Sequence, residues 1–302
     1  MSVSRLILIL SHFCMFAAVA SLPGQQEPDP AEEIPAAKSS PEVDKAYSGY
    51  GRLLRIFADE NGMVGYEALG RDREMLRSTI ADIGSIRQRT FAQLGREGQI
   101  ALLINAYNLF AIDIVVSNWP IRRNWLTGWL YPGNSIRQLA GAFDDVQHQL
   151  LGALYTLDDI ERGMLLERYG DPRIHMALVC ASKGCPPLRS TPYTADSLDA
   201  QLDMQVKRFL ASPQNFLIDR NGAEVQLSEL FDWYADDWLA AGYTNIDSLP
   251  PAHRGGDQLN DSQRAVIEFV AGHVDSEQKA YLEAGGYELE FTDYDWSLNA
   301  RQ

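Results

Sequence analysis

Gln99-Ile-Ala-Leu-Leu-Ile-Asn-Ala-Tyr-Asn-Leu-Phe-Ala-Ile-Asp-Ile-Val-Val-Ser117 is apolar on almost every side of a helical wheel. A helix of that kind has no face to offer water, so residues 99–117 are expected to run buried through the centre of the fold. The segments before it, 46–58, 66–83 and 85–94, carry apolar residues at helical spacing and can supply its cover. After it comes an irregular region, 119–143, with Trp119, Trp125 and Trp129 and breaks at Pro120 and Pro132. Residues 157–169 return to helix, with Thr156 as N-cap and Asp158 and Asp159 favourable in the first turn.

Strands are expected only in the second half. Residues 174–180 form a short apolar run bounded by Asp171-Pro172 and a Ser-Lys-Gly turn. Residues 216–220 and 223–227 flank Asn221-Gly222, the signal of a tight hairpin. Residues 287–296 alternate as a half-solvated strand does, and helices are expected at 195–211, 228–240 and 261–272. Helices first, then strands mixed with helices, predict an α+β fold with an antiparallel sheet.

Residues 1–20 read as a secretory signal, with Arg5 as the charged start, an apolar stretch too short to span a bilayer, and Ala18-Val19-Ala20 as a cleavage site. Residues 21–45, rich in Pro, Glu, Ala and Ser, read as a disordered spacer. Residues 46–302 are then one domain, in a secreted or periplasmic protein with no stable membrane insertion after cleavage. Loss of Arg5 with the leader takes the formal charge from −15 to −16. Such a field repels phosphate, which argues against nucleic acid as a partner. There is no phosphate loop, dinucleotide fingerprint or Gly-x-Ser-x-Gly elbow, and no cofactor is implied.

Apart from Cys14 in the leader, the only thiols are Cys180 and Cys185, with His175 within the same eleven residues. An oxidising compartment favours a Cys180–Cys185 disulfide, worth roughly 2 kcal/mol as a small ring. The alternatives are a catalytic thiol, with Cys180 as nucleophile and His175 as base, a reversible redox pair, or a metal site, although zinc fits these spacings poorly. A regular strand would put residues 175 and 180 on opposite faces, so a direct dyad needs a turn near 179–181. Asn105 and Asn108 share a face of the apolar helix and need partners. These are either backbone or His175, which an Asn would orient; Asp113 is a further possibility. Arg173, Lys183 and Arg189 flank the thiols and could depress a thiol pKa, hold a substrate carboxylate or serve only surface solubility; Ser182 is a further substrate-binding candidate, and Glu161 either joins them or pairs within its own helix. The ligand is a small molecule or peptide of unknown identity.

Asn105-Ala-Tyr-Asn108, Asp159-Ile-Glu161, Arg173-Ile-His175-x-Ala-Leu-x-Cys180-Ala-Ser182-x-x-Cys185-Pro186-x-Leu188, Leu227-Ser-x-x-Phe-x-Trp-Tyr-x-x-Asp237 and Tyr294-Asp-Trp-Ser-Leu-Asn299 together resemble the family catalogued as domain of unknown function 547. The resemblance spans roughly residues 95–299. It implies a shape similar to papain-like or transglutaminase-like cysteine hydrolases, and hence cleavage or transfer of an amide or thioester. A binding or scaffold domain with a disulfide is the rival reading.

Overall fold

The computed structural model describes residues 39–125, 128–243 and 259–301. Residues 1–20, read as a leader, and most of 21–45, read as a spacer, lie outside them. Helix α1 (Pro41–Phe57) is already under way at Pro41, so residues 41–45 are helical rather than part of a spacer. Its start is built from local chemistry: Ser40 accepts the Val43 N–H, Pro41 takes the position where a missing N–H costs nothing, and Glu42 and Asp44 face the positive helix end.

Four further helices follow: α2 (Tyr66–Arg71), α3 (Arg73–Gly84), α4 (Gln88–Gln93) and α5 (Arg96–Ser117). Asp72 separates α2 from α3 and caps the latter, which breaks the single helix expected over 66–83. The α5 helix is buried as its composition requires. It is long and apolar enough to cross a membrane, yet 89% of its most apolar window is covered by the rest of the fold. It is therefore the axis of a protein core, into which Leu53, Leu54 and Phe57 of α1 and Ile83 of α3 also pack.

Beyond α5, β1 (His148–Leu150) and β2 (Ala153–Tyr155) form a small hairpin not foreseen in the sequence. Thr156 then caps the next helix as expected: its hydroxyl accepts the Asp159 N–H, and its own N–H donates to the Asp159 carboxylate. That helix is wound as a π-helix over Asp159–Leu166 before the short α6 (Glu167–Tyr169). Such widened turns collect at functional sites.

The expected strand at 174–180 is instead a 3₁₀ turn, Pro172–Met176. Asp171 accepts the Arg173 N–H and Pro172 starts the turn, so the dipeptide read as a strand boundary is a helix cap. Among the described residues, the backbone of residues 177–180 pairs with no strand. The Asn108 carboxamide takes that place, donating to Ala177 O and accepting from Val179 N.

A second core lies around α7 (Leu198–Leu210), β3 (Phe216–Asp219), β4 (Glu224–Ser228), α8 (Glu229–Trp233), α9 (Ala235–Ala240), α10 (Asp261–Ala271), α11 (Ser276–Ala284) and β5 (Glu288–Thr292). The expected helix at 228–240 is broken at Tyr234 into α8 and α9. The hairpin β3–β4 is present, closed by four residues rather than two, since Asp219 pairs with Glu224. The sheet departs from an all-antiparallel one: β5 runs parallel to β4. Helices α8 to α11 lie between those two strands in sequence and provide the long crossover that parallel pairing needs. The fold is α+β, with helices leading and sheets following.

Candidate functional site

Cys180 and Cys185 form a disulfide, their Cα atoms 6.2 Å apart. Ala181, just after the first sulfur, has φ of +61°, a left-handed conformation that costs a non-glycine residue roughly 1 kcal/mol or more. Chain pairing holds it there. The C-terminal stretch runs alongside the loop, with Asn299 N donating to Ala181 O (3.1 Å), Lys183 N to Ser297 O (2.8 Å) and Gly184 N to Asp295 O (2.9 Å). Asn299 fixes that stretch in turn, since its side chain accepts from Tyr66 (2.6 Å) and donates to Gly62 O (3.1 Å).

This pairing delivers Tyr294 onto the sulfurs. Its hydroxyl donates to Cys185 Sγ at 3.0 Å and lies 3.2 Å from Cys180 Sγ. Ser182 donates to the Tyr294 oxygen at 2.9 Å, and the Cys180 N–H points at Cys185 Sγ at 2.9 Å. Burial raises the Tyr294 phenol well above its ordinary range, against the lowering effect of the Ser182 bond, so it keeps its proton and remains a donor. Cys185 is buried, whereas Cys180 is only half-buried. The two sulfurs are thus unequal in access and in hydrogen bonding.

The Tyr294 ring lies flat on Gly184, where an added Cβ would come within 2.9 Å of three ring carbons. On its other sides are Trp233 at 4.9 Å and Trp296 at 4.6 Å between centroids. The ring has no easy way to yield. Gly184→Ala is therefore expected to destabilise the protein by about 1–3 kcal/mol, the usual cost of overpacking, and to displace the phenol from the sulfurs. Urea unfolding, with the Tyr294 ring resonances followed by NMR, checks both effects.

Beside the sulfur loop lies a second polar group. Glu161, on the π-helical segment, is buried and accepts from Tyr107 (2.9 Å) and Tyr234 (3.1 Å). Burial first, then the carboxylate itself, raises both phenols, so each stays a donor. The Tyr234 ring stacks on His175 at 4.0 Å, and His175 Nε2 meets Asp237 Oδ2 at 2.7 Å.

These contacts correct several expectations. His175 is held by Asp237, and neither Asn105 nor Asn108 orients it. Asn105 clasps the Tyr193 backbone on both sides, at 2.9 Å each, and Asn108 clasps residues 177 and 179. Asp113 pairs with His148 at 3.0 Å. The sulfurs bond to Ser182, Tyr294 and the Cys180 N–H, and His175 makes no hydrogen bond to either of them. Glu161 is held by two phenols rather than by its own helix. Arg173 is engaged by Asp171, Asp199 and Asp203, and so is not a free anion clamp. Arg189 lies over Tyr193 and donates to Thr191, and Lys183 is exposed. Ser182 is the one of these candidates found in the sulfur network.

In the sequence, Tyr294, Asp237 and Tyr234 stand only as parts of longer patterns, with no role of their own. Tyr234-x-x-Asp237, an i, i+3 spacing that sets two side chains on the same side, is the signal that marks two of them.

Residues 91–210, about two-fifths of the chain, match the family model described as "Protein of unknown function, DUF547". The match includes α5, Glu161, His175 and both cysteines, and ends before Asp237 and Tyr294. No curated protein and no solved structure matches the chain.

Proposed function

For a chain whose residues 91–210 match the DUF547 family model, we propose that the Cys180–Cys185 pair is a thiol–disulfide exchange site in an exported protein. One observation carries the reading: a backbone N–H and a phenol that retains its proton both point at the less accessible sulfur. A passive staple needs no donors on its sulfurs. A leaving thiolate does, because exchange is faster and reduction more favourable when the departing sulfur holds its charge well.

The chemistry follows from the asymmetry. An incoming thiolate attacks Cys180 Sγ, the sulfur-to-Cys185 bond breaks, and the electron pair passes to Cys185 Sγ, where the Cys180 N–H and Tyr294 hydroxyl receive it. A second substrate thiolate then attacks the substrate sulfur of the mixed disulfide and releases Cys180 as a thiolate. The net result is two substrate thiols joined as a disulfide and the protein pair reduced to the dithiol. Residues 1–20, read as a secretory signal, fit this proposal, since a compartment that oxidises thiols is where such a pair is recharged.

Two measurements test it. Cys185→Ser is expected to form a mixed disulfide at Cys180 within minutes of adding a small disulfide reagent, while Cys180→Ser, its remaining sulfur covered, reacts at least tenfold more slowly. The wild-type pair is expected to equilibrate with a glutathione buffer near −200 mV; a pair that stays oxidised below about −300 mV is a structural staple and ends the exchange reading in favour of a scaffold.

A second reading is favoured by the short His175–Asp237 bond: once reduced, Cys180 would serve as nucleophile of a papain-like hydrolase or acyl transferase acting on amides or thioesters, with His175 as base. It requires thioester turnover by the reduced protein that disappears in both Cys180→Ser and His175→Ala.

A further inference from the structure

We infer that Arg137, joined to the sulfurs through the rings of Trp296 and Tyr294, is the recognition point for a carboxylate on the substrate, so that the site takes acidic, low-molecular-weight thiols or the carboxylate-bearing end of a peptide. The inference rests on the exchange reading for the word substrate, and on its own geometry for the binding site.

Arg137 sits in a 3₁₀ turn, Ile136–Gln138, whose N–H is capped by the Ser135 hydroxyl at 3.1 Å. The turn is anchored by the buried Gln138 side chain, which donates to Tyr131 O (2.9 Å) and Pro132 O (3.0 Å) and accepts from Asn124 N (2.8 Å). The guanidinium is thereby held among three rings: Trp296 at 5.1 Å, Tyr131 at 5.2 Å and Phe143 at 5.9 Å. Rings hold a cation by their faces and leave its N–H edge free. One of its donors meets the Tyr131 hydroxyl at 3.2 Å, and among the described residues Arg137 forms no ion pair. A fork of donors fixed in position, with no carboxylate on it, suits a planar anion.

The same rings lead to the sulfurs. Trp296 stacks on Trp233 (5.7 Å, 22° between planes) and packs on Tyr294, whose hydroxyl contacts both sulfurs. All three rings are half-buried, so a ligand laid along this shelf can set its carboxylate on Arg137 and its sulfur toward Cys180. On a chain of net charge −15, attraction of an anion has to come from a local device of this kind, since the long-range field opposes it.

The test separates binding from exchange by using thioethers, which cannot exchange. Wild-type oxidised protein is titrated with 3-(methylthio)propionate, 3-(methylthio)propanol and 2-(methylthio)ethylamine, following the indole N–H signals of Trp233 and Trp296 by NMR. The carboxylate is expected to bind at least fivefold more tightly than the alcohol, with the amine weakest. Arg137→Gln is expected to erase the carboxylate's advantage, and Arg137→Lys to retain part of it, since charge survives and the planar fork does not. Thermal unfolding of both variants identifies any loss that is merely structural. Equal binding of carboxylate and alcohol in the wild type, or an advantage that survives in a folded Arg137→Gln protein, overturns the inference. If the carboxylate preference stands while the disulfide proves inert to thiols, the exchange reading fails and the anion site remains.

Discussion

Tyr294→Phe is expected to make the disulfide harder to reduce and slower to exchange. The phenol donates to Cys185 Sγ at 3.0 Å and is held protonated by burial, so it stabilises the thiolate formed on reduction more than the neutral sulfur of the disulfide. A hydrogen bond to a charged group contributes about 1.5–3 kcal/mol. The lost donor should therefore move the midpoint potential roughly 30–60 mV more negative, at about 30 mV per 1.4 kcal/mol for a two-electron couple. Exchange with a small thiol at neutral pH should slow by about tenfold, because the departing sulfur holds its charge less well. Ser182 limits the effect. It gives its proton to Tyr294 at 2.9 Å but lies 3.3 Å from Cys185 Sγ, and without the phenol its hydroxyl can turn to the sulfur. Tyr294→Phe with Ser182→Ala should consequently exceed the sum of the single changes, as coupled neighbours do. A glutathione redox titration of all three variants decides; a midpoint that does not move in Tyr294→Phe removes the phenol from the chemistry.

What could be read from the sequence divides along physical lines. The burial of α5 was legible because nineteen residues with scarcely a polar face permit no other environment. The cap at Thr156 and the hairpin around 221–222 were legible because their signals are local. The run at 174–180 misled because apolar residues in a short segment look alike as strand and as buried turn; Asp171-Pro172 decides between them only once the Arg173 N–H is seen on the Asp171 carboxylate. The parallel pairing of β5 was hidden because alternation reports which face is wet, not which way the neighbour runs. In the site, the cysteines declared themselves by rarity. Their partners did not: Tyr294 lies 114 residues from Cys180, and Asp237 lies 62 from His175. Contacts at such separation are set by the tertiary fold, and no spacing rule reaches them.

A large loss of stability is expected at Asn108. Its carboxamide does the work of a neighbouring strand, donating to Ala177 O at 2.9 Å and accepting from Val179 N at 2.8 Å, with Asn108 and both backbone residues buried. Asn108→Ala leaves two main-chain groups without partners in the core. At about 1–3 kcal/mol for each orphaned group, the protein should lose roughly 2–6 kcal/mol, a large share of the 5–15 typical of a domain. Asn108→Asp should be no better: the carboxylate still accepts from Val179 but faces the Ala177 oxygen with nothing to donate. Asn105→Ala removes an equivalent clasp on Tyr193 and should cost a similar amount. The two positions differ in what else moves. Val179 directly precedes Cys180, so loss of the Asn108 clasp frees the segment that presents the attacked sulfur, whereas the Asn105 clasp holds a segment beyond the sulfur loop. In urea unfolding, both variants should show a lower midpoint at unchanged slope, and only Asn108→Ala should also accelerate alkylation of Cys180 in the reduced, still-folded protein. A loss below 1 kcal/mol in Asn108→Ala would mean that the 177–179 backbone finds other partners, and that the carboxamide is not what sets the approach to the sulfurs.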